Sequence, residues 1–228
     1  LLSAYPDRLA AIDGNTLVWR DGTRMAIDDG RGPKSFEAWL AEPDIEDMFA
    51  KPYTAGPLTR APARDEDPGR ARNAAFFDHM YGDCRSGQVE RALTEIVWLP
   101  GRSGQRLRVT RINGVAEKLA AVSRELAQLP ARFDAILIPA AGTYNCRRIA
   151  GTGRMSAHGY GIAIDIAVKP SDYWRWSKPS PDGSYAYRNR IPLEIVDVFE
   201  RHGFIWGGKW HHYDTMHFEY RPELLAQK

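Results

Sequence analysis

Residues 156–165 read Ser-Ala-His-Gly-Tyr-Gly-Ile-Ala-Ile-Asp, so a histidine lies in a glycine-rich turn and an aspartate in the run that follows it. From Gly161 to Val168 branched aliphatic residues occupy every second position, which predicts a strand with one apolar face. Asp165 would lie on the opposite face among glycine and alanine, where a buried charge is costly unless a partner neutralises it. A metal ion would do so, because a carboxylate and a neutral imidazole such as that of His158 are ordinary zinc ligands.

A second segment, residues 214–220, also combines an acidic residue with a histidine and reads Asp-Thr-Met-His-Phe-Glu-Tyr. From its methionine onward it is predicted to form a short strand, with His217 on the face opposite to the large apolar side chains. A catalytic zinc site needs three protein ligands and an open position for water. His158, Asp165 and His217 would supply the ligands, and Asp214 would lie near the water, where a general base belongs.

Each segment has a structural interpretation as well. A single histidine in a glycine-rich loop is most often a structural loop residue, and Asp165 could pair with an arginine in the core. Two such segments in one chain favour a metal site, but the spacing by itself leaves metal binding and a structural role open.

Taken together, the two segments resemble the zinc peptidases of the LAS type. These comprise D-alanyl-D-alanine carboxypeptidases, phage L-alanyl-D-glutamate endopeptidases and the related hedgehog signalling domain. The family's SxHxxGxAxD signature is complete in residues 156–165, and its second signature corresponds to residues 203–210 and 214–219. The second signature is most similar to the phage endolysin branch. A Cys-Arg pair ahead of the first signature is also similar to the extensin-like C-terminal domains of bacteria.

The resemblance implies a role for each signature residue. It makes His158, Asp165 and His217 the zinc ligands and Asp214 the catalytic base. In these enzymes an arginine in a turn before the first signature polarises the substrate carbonyl, and Arg147 matches that position better than the arginine that follows it. A guanidinium suits the role because it stays charged and offers several donors in a rigid fork. An ordinary surface charge is the alternative for either arginine.

Four further residues are weaker candidates for substrate binding, namely Ser156, Trp206, Trp210 and His212. The tryptophans could line a groove for a peptide, although core packing is the commoner fate of tryptophan, and a polar loop position is the alternative for the histidine. Glu219 shares a strand face with His217 and could act on it from outside the ligand shell. His202 ends a predicted helix and is expected to be structural. The insertion over residues 169–190 could form a lid over the site.

Composition excludes several classes of protein. The 228 residues include seven tryptophans, ten tyrosines and eight phenylalanines, too many for a largely disordered chain. The net charge is +2 and no long run of one sign occurs, which argues against a nucleic-acid-binding protein. The longest apolar stretch, residues 135–141, is far shorter than a membrane span. The first residues lack the basic start and apolar core of a signal peptide, so we expect none in this chain.

Cys84 and Cys146 are the two cysteines of the chain, and their spacing excludes a zinc site made of cysteines alone. Two alternatives remain open. They could form a disulfide that ties the turn before Arg147 to the preceding helical region, as an even count outside the cytosol would allow, or they could be buried free thiols.

Turn signals and periodicity outline the elements. In the N-terminal part they predict a hairpin around Asp21-Gly22, a helix capped by Ser35, a helix from Pro43 to about residue 51, and a proline-rich boundary over 51–70. Beyond it they predict helices over 70–80, 115–129 and 192–202 and strands over 92–99, 105–110, 133–138, 161–168 and 216–220. We therefore predict an N-terminal loop-rich extension, residues 1–69, and a peptidase domain, residues 70–228. The fold class is α+β, with a small antiparallel sheet flanked by helices as in the hedgehog and DD-peptidase folds.

The function implied by the resemblance is that of a zinc-dependent peptidase that hydrolyses peptidoglycan stem-peptide bonds by metal-activated water. The bond would be of the D-Ala-D-Ala carboxypeptidase or the L-Ala-D-Glu endopeptidase type, and the location periplasmic or secreted. The alternative is a non-catalytic, zinc-containing module that binds the cell wall. Peptidoglycan peptides are the expected partners, nucleic acid is not expected, and nothing in the sequence indicates the oligomeric state.

Overall fold

The computed structural model describes residues 1–225 and confirms the α+β class. In chain order the strands are β1 Leu9–Asp13, β2 Thr16–Trp19, β3 Arg24–Ala26, β4 Leu93–Trp98, β5 Gln105–Thr110, β6 Ala163–Asp165, β7 Phe204–Trp206 and β8 His217–Tyr220. The α-helices are α1 Phe36–Ala41, α2 Ala74–Tyr81, α3 Gln88–Ala92, α4 Val115–Leu126, α5 Asp134–Leu137, α6 Leu193–Arg201 and α7 Pro222–Leu225. The strands form three small antiparallel sheets, ordered β1-β2-β3, β4-β5 and β6-β8-β7.

The register of the β6-β8-β7 sheet determines where the chemistry can occur. Strand β6 pairs with β8 so that Asp165 lies directly opposite His217 and Ala163 opposite Glu219. Residues opposite each other in an antiparallel pair have Cβ atoms about 4.5–5.5 Å apart, which brings the carboxylate and the imidazole together. Helix α6 supports the sheet from behind, where Phe199 stacks on Phe218 with ring centroids 3.8 Å apart.

The strand predicted over 161–168 is shorter than expected, because only residues 163–165 form regular ladder pairs. Gly161 has φ +68°, a left-handed conformation that ends the pairing on one side, and a Cβ there would lie 2.9 Å from Leu93 and 3.1 Å from the Thr110 backbone nitrogen. Beyond Asp165 the chain stays extended, and the Ile166 amide donates to the Met216 carbonyl. The alternation therefore predicts the local direction of the chain better than the length of the strand.

The strand predicted over residues 133–138 is wrong. The segment forms a 3-10 turn, Ala131–Phe133, followed by the short helix α5. Phe133 and Leu137 are both buried, which is a helical spacing, and Arg102 bonds to the Asp134 carboxylate at the helix start. A short apolar run bounded by a proline does not distinguish a strand from a buried helical turn, which explains the error.

The second N-terminal helix is also shorter than predicted, since only Glu46–Met48 forms a 3-10 turn. Asp44 and Asp47 bond each other's backbone amides, and Lys34 lies 3.1 Å from one carboxylate and 2.5 Å from the other. Such side-chain bonds to the local backbone compete with helix formation. The hairpin about Asp21-Gly22 and the helix capped by Ser35 are confirmed, and Ser35 accepts a hydrogen bond from the Ala38 amide.

Several side chains of the N-terminal region pack into the core of the rest of the chain. Leu17 and Trp19 of β2 belong to the same hydrophobic core as Phe76 of α2. The Tyr5 hydroxyl donates to the Glu223 carboxylate at 2.6 Å, which joins the two ends of the described chain. A boundary near residue 69 remains a proposal, and residues 51–70 contain neither helix nor strand. Within residues 1–225, no helix is long and apolar enough to cross a membrane.

Cys84 and Cys146 form a disulfide, with Cα atoms 5.7 Å apart. It joins the turn before α3 to the segment that carries Arg147 and leads to His158.

Replacing both cysteines by serine should lower stability by about 4 kcal/mol, because a cross-link that closes a loop of this length restricts the unfolded chain. Urea unfolding of the wild type and the double variant, both without reductant, measures the effect. Identical midpoints would contradict it.

Candidate metal centre

Three side chains from three different elements converge at one point. His158 comes from the 3-10 turn Ala157–Tyr160, Asp165 from the end of β6, and His217 from the start of β8. The His158 Nε2 atom lies 3.1 Å from Asp165 Oδ1 and 3.2 Å from His217 Nδ1, and the last two atoms are 2.9 Å apart. Two nitrogens and one carboxylate oxygen in a triangle of this size form a donor set suited to zinc.

The far nitrogen of each histidine is held by a hydrogen bond. His158 Nδ1 donates to the Thr143 carbonyl, and His217 Nε2 lies 3.1 Å from the Glu219 carboxylate. These contacts leave Nε2 of His158 and Nδ1 of His217 as the nitrogens that face the centre, where each would offer a lone pair to a metal once it carries no proton. Outer contacts of this kind fix the tautomer and orientation of metal-binding imidazoles.

Glu219 is itself fixed by two arginines. Arg72 bonds its carboxylate from one side and Arg221 from the other, and all three side chains are buried or nearly so. Burial alone would raise the pKa of Glu219, but the charge of Arg72, the hydrogen bond to His217 and the charge of Arg221 hold it well below its usual range. Glu219 is therefore a permanent carboxylate behind His217.

The charge balance favours a cation at the centre. Burial lowers the pKa of His217, yet its hydrogen bonds to Asp165 and Glu219 outweigh burial and raise the pKa to about 10. The imidazoles of His158 and His217 hold the pKa of Asp165 far below its usual range despite burial. Without a metal, a proton supplies the positive charge between these carboxylates, so metal binding must release it.

Asp214 lies beside this centre, in the turn that precedes β8. Its backbone carbonyl accepts a hydrogen bond from the His217 amide, and its carboxylate atom Oδ1 is buried with no hydrogen-bond partner among residues 1–225. Burial and the nearby charge of Asp165 raise the pKa of Asp214 to about 6. A carboxylate with a pKa near neutrality and a free oxygen has the properties of a general base.

Arg147 lies in the segment that runs antiparallel to the His158 turn. Its backbone carbonyl accepts from the Ser156 amide, while the Asn145 amide donates to the His158 carbonyl. Arg147 is exposed, and its charge acts on Tyr173, whose backbone bridges to Asp214. The neighbouring Arg148 instead donates to the Gly153 carbonyl at 2.6 Å, which ties it to the following loop.

The four weaker candidates for substrate binding mainly stabilise the local structure around the centre. Ser156 is buried and caps the 3-10 turn by accepting from the His158 amide. Trp206 and Trp210 are only 3% and 4% exposed and bond to backbone carbonyls, which places them in the core rather than along a groove. The Trp210 ring packs against the His217 ring at 5.7 Å. His212 bonds the buried Asp67 at 2.7 Å and stacks on Phe36.

Several residues that hold the side chains of the centre in position could not be recognised from the sequence. Thr143 acts through its backbone carbonyl, so its side chain carries no signal. Arg72 and Asp67 lie at the end of the proline-rich boundary, far along the chain from the residues that they contact. The insertion over 169–190 contacts the site through Tyr173, and the Trp174 amide donates to the Tyr213 carbonyl.

Asp67 provides a test of how the loop before β8 is held. Burial would raise the pKa of Asp67, but hydrogen bonds from His212 and the charge of Arg70 lower it to about 2. The folded pKa lies below the unfolded value, so the ionised group stabilises the fold above about pH 4, and this contribution is lost as the pH falls toward 2. Asp67→Asn should cost about 2 kcal/mol at neutral pH and less at about pH 3.

Urea unfolding at both pH values measures this difference. Asp13→Asn is the matched control, because Asp13 forms an exposed ion pair with Arg24 that should contribute little. An Asp67→Asn effect that is absent at neutral pH, or that grows on acidification, would contradict the assignment.

Residues 150–220 match the sequence family described as D-alanyl-D-alanine carboxypeptidase. The matched range contains His158, Asp165, Asp214 and His217, and it confirms the resemblance seen in the two signatures. A search of the curated proteins found no match. The matched family is a peptidase family, and the geometry of the centre agrees with the metal-dependent chemistry of that class.

Proposed function

We propose that this chain is a zinc-dependent peptidase that hydrolyses peptide bonds in peptidoglycan stems. The observation that carries the proposal is the pairing of a three-donor centre with a neighbouring carboxylate whose Oδ1 atom is buried and without a partner. A purely structural zinc site takes four protein ligands and needs no base, whereas a catalytic site keeps three ligands and an open position.

His158, Asp165 and His217 would hold the ion, and the residues present fit it. Both histidines would offer a lone pair toward the centre once the proton held there is released, because their other nitrogens are engaged. When bound, zinc would lower the pKa of a coordinated water and polarise the substrate carbonyl. Glu219, fixed by Arg72 and Arg221, keeps the His217 ring in the orientation that this requires.

In this proposal Asp214 transfers protons, and Arg147 stabilises the negative charge that develops on the substrate carbonyl oxygen. Asp214 takes a proton from the attacking water at its carboxylate and later gives it to the leaving amine nitrogen. Arg147 would donate hydrogen bonds to the carbonyl oxygen as negative charge develops there, which would lower the barrier. The disulfide at the adjacent Cys146 restrains the backbone that carries this arginine.

A cell-envelope or secreted location follows from the same proposal. The substrate lies in the cell wall, and the disulfide between Cys84 and Cys146 is a feature of oxidising compartments.

The deciding experiment is incubation of the zinc-loaded chain with purified peptidoglycan, followed by mass spectrometry of the released peptides. New alanine termini that disappear with a chelator are expected, and their partner residues identify the bond. Retention on the wall without new termini would contradict the peptidase and favour the non-catalytic binding module.

A further inference from the structure

A groove with a volume of about 1080 Å³ lies between the N-terminal region and the peptidase region, and Arg72 in its lining bonds Glu219, which contacts His217. One wall is built from residues 36–44, and the other from residues 70–75 and 148–155. The 148–155 segment connects Arg147 to Ser156 and then to His158. In sequence, this wall therefore lies between the candidate oxyanion donor and the candidate metal ligand.

The wall formed by residues 70–75 and 148–155 is rich in arginine, and most of these arginines are bonded to a carboxylate or a backbone carbonyl. Arg72 bonds Glu219, and Arg70 bonds Asp67 at 2.6 Å. Arg148 donates to a backbone carbonyl.

Arg154 differs from the other arginines of this wall. It is partly buried, and its Nη1 atom is fully buried with no hydrogen-bond partner among residues 1–225. Burial and the charges of Arg72 and Arg70 lower its pKa to about 10, so it stays protonated at neutral pH. A buried cationic donor without a partner is costly, and the accessible part of the Arg154 side chain lines the groove, where a bound anion would offset that cost.

The carboxylates on the opposite side of the groove do not provide that anion. Asp44 is neutralised by Lys34 and Glu42 by Arg31. Asp78 accepts a hydrogen bond from the Tyr160 hydroxyl at 2.9 Å.

We propose that Arg154 binds a carboxylate of the stem peptide in this groove, so that the enzyme selects substrates by an acidic group away from the cleaved bond. This inference rests on the proposed function and deepens it. A guanidinium offers two parallel donors that match a carboxylate, and a partly dry site strengthens such a pair. The peptide would then extend from the metal centre along the 148–155 segment.

The probe for this site is the dipeptide γ-D-Glu-L-Lys, which contains neither of the two bonds proposed for cleavage, so binding is separate from turnover. Its counterpart, in which the D-Glu α-carboxylate alone is amidated, lacks the one carboxylate that the stem also carries. Calorimetric titration of the full chain should show about tenfold or more tighter binding of the acid than of the amide. Arg154→Gln should remove this preference, and Arg154→Lys, which keeps the charge but not the fork, should retain part of it.

Arg124→Gln is the matched control, because Arg124 is an exposed arginine on α4, remote from the groove, and the preference should be unchanged. A preference that survives in a folded Arg154→Gln variant overturns the proposal, as does equal or undetectable binding of the two peptides by the wild type. If the preference depends on Arg154 but the chain does not cleave peptidoglycan, the carboxylate site is supported and the proposed peptidase activity is refuted.

Discussion

Asp214→Asn is expected to lower turnover on peptidoglycan peptides by about 10²–10⁴-fold, the usual loss when a positioned acid–base group is removed. This corresponds to about 3–5 kcal/mol in the activation barrier. The amide keeps the shape of the side chain but cannot accept a proton from water. Since Oδ1 has no partner among residues 1–225, the substitution breaks no hydrogen bond of that atom, and the fold should be retained.

Zinc content and melting temperature separate this role from a structural one. Both should match the wild type in Asp214→Asn, and Asp182→Asn, an exposed loop substitution, should leave turnover unchanged as well. Loss of zinc would make Asp214 a ligand. Wild-type turnover would place the base elsewhere, although Glu219 is poorly placed for it, because Glu219 contacts the nitrogen of His217 that faces away from the centre.

The convergence of His158, Asp165 and His217 is predictable from the sequence because these residues lie in two short segments whose conformations are local. The turn at His158 follows from Ser156 and the glycines, and residues 217–220 form a strand as their alternation requires. The pairing of β6 with β8, which places Asp165 opposite His217, is not in either segment alone. The sequence therefore predicts the three donors but not the register that brings two of them together.

What the sequence does not reveal depends on contacts between distant residues. The helical turn over 134–137 was predicted as a strand because its apolar pattern is too short to have a period. Arg72 reaches Glu219 across 147 positions, and Asp67 reaches His212 across 145. No local pattern marks such partners.

Asp165→Asn provides the sharpest contrast with Asp214→Asn, because the same chemical change is made at two acidic residues of the same centre. A neutral amide is a poor zinc ligand, whereas the carboxylate of Asp165 contributes both a donor atom and the negative charge that attracts the cation. Removing a residue that only hydrogen-bonds to a metal ligand typically weakens metal affinity by about 10–100-fold. Removing a direct ligand should therefore weaken it by more than about 100-fold. Activity should fall with the metal.

Elemental analysis after dialysis against a buffered zinc concentration measures this affinity. His158→Ala should lose zinc in the same way, whereas His79→Ala should keep it, because His79 pairs with Asp21 near the surface in the N-terminal region. The two aspartate variants then give opposite results: one keeps zinc without turnover, and the other loses zinc and turnover together. Full stoichiometric zinc in Asp165→Asn would refute the ligand assignment. Asp214 would then be the next residue to test as the third ligand, because the charges of Asp165, His217 and His158 act on it.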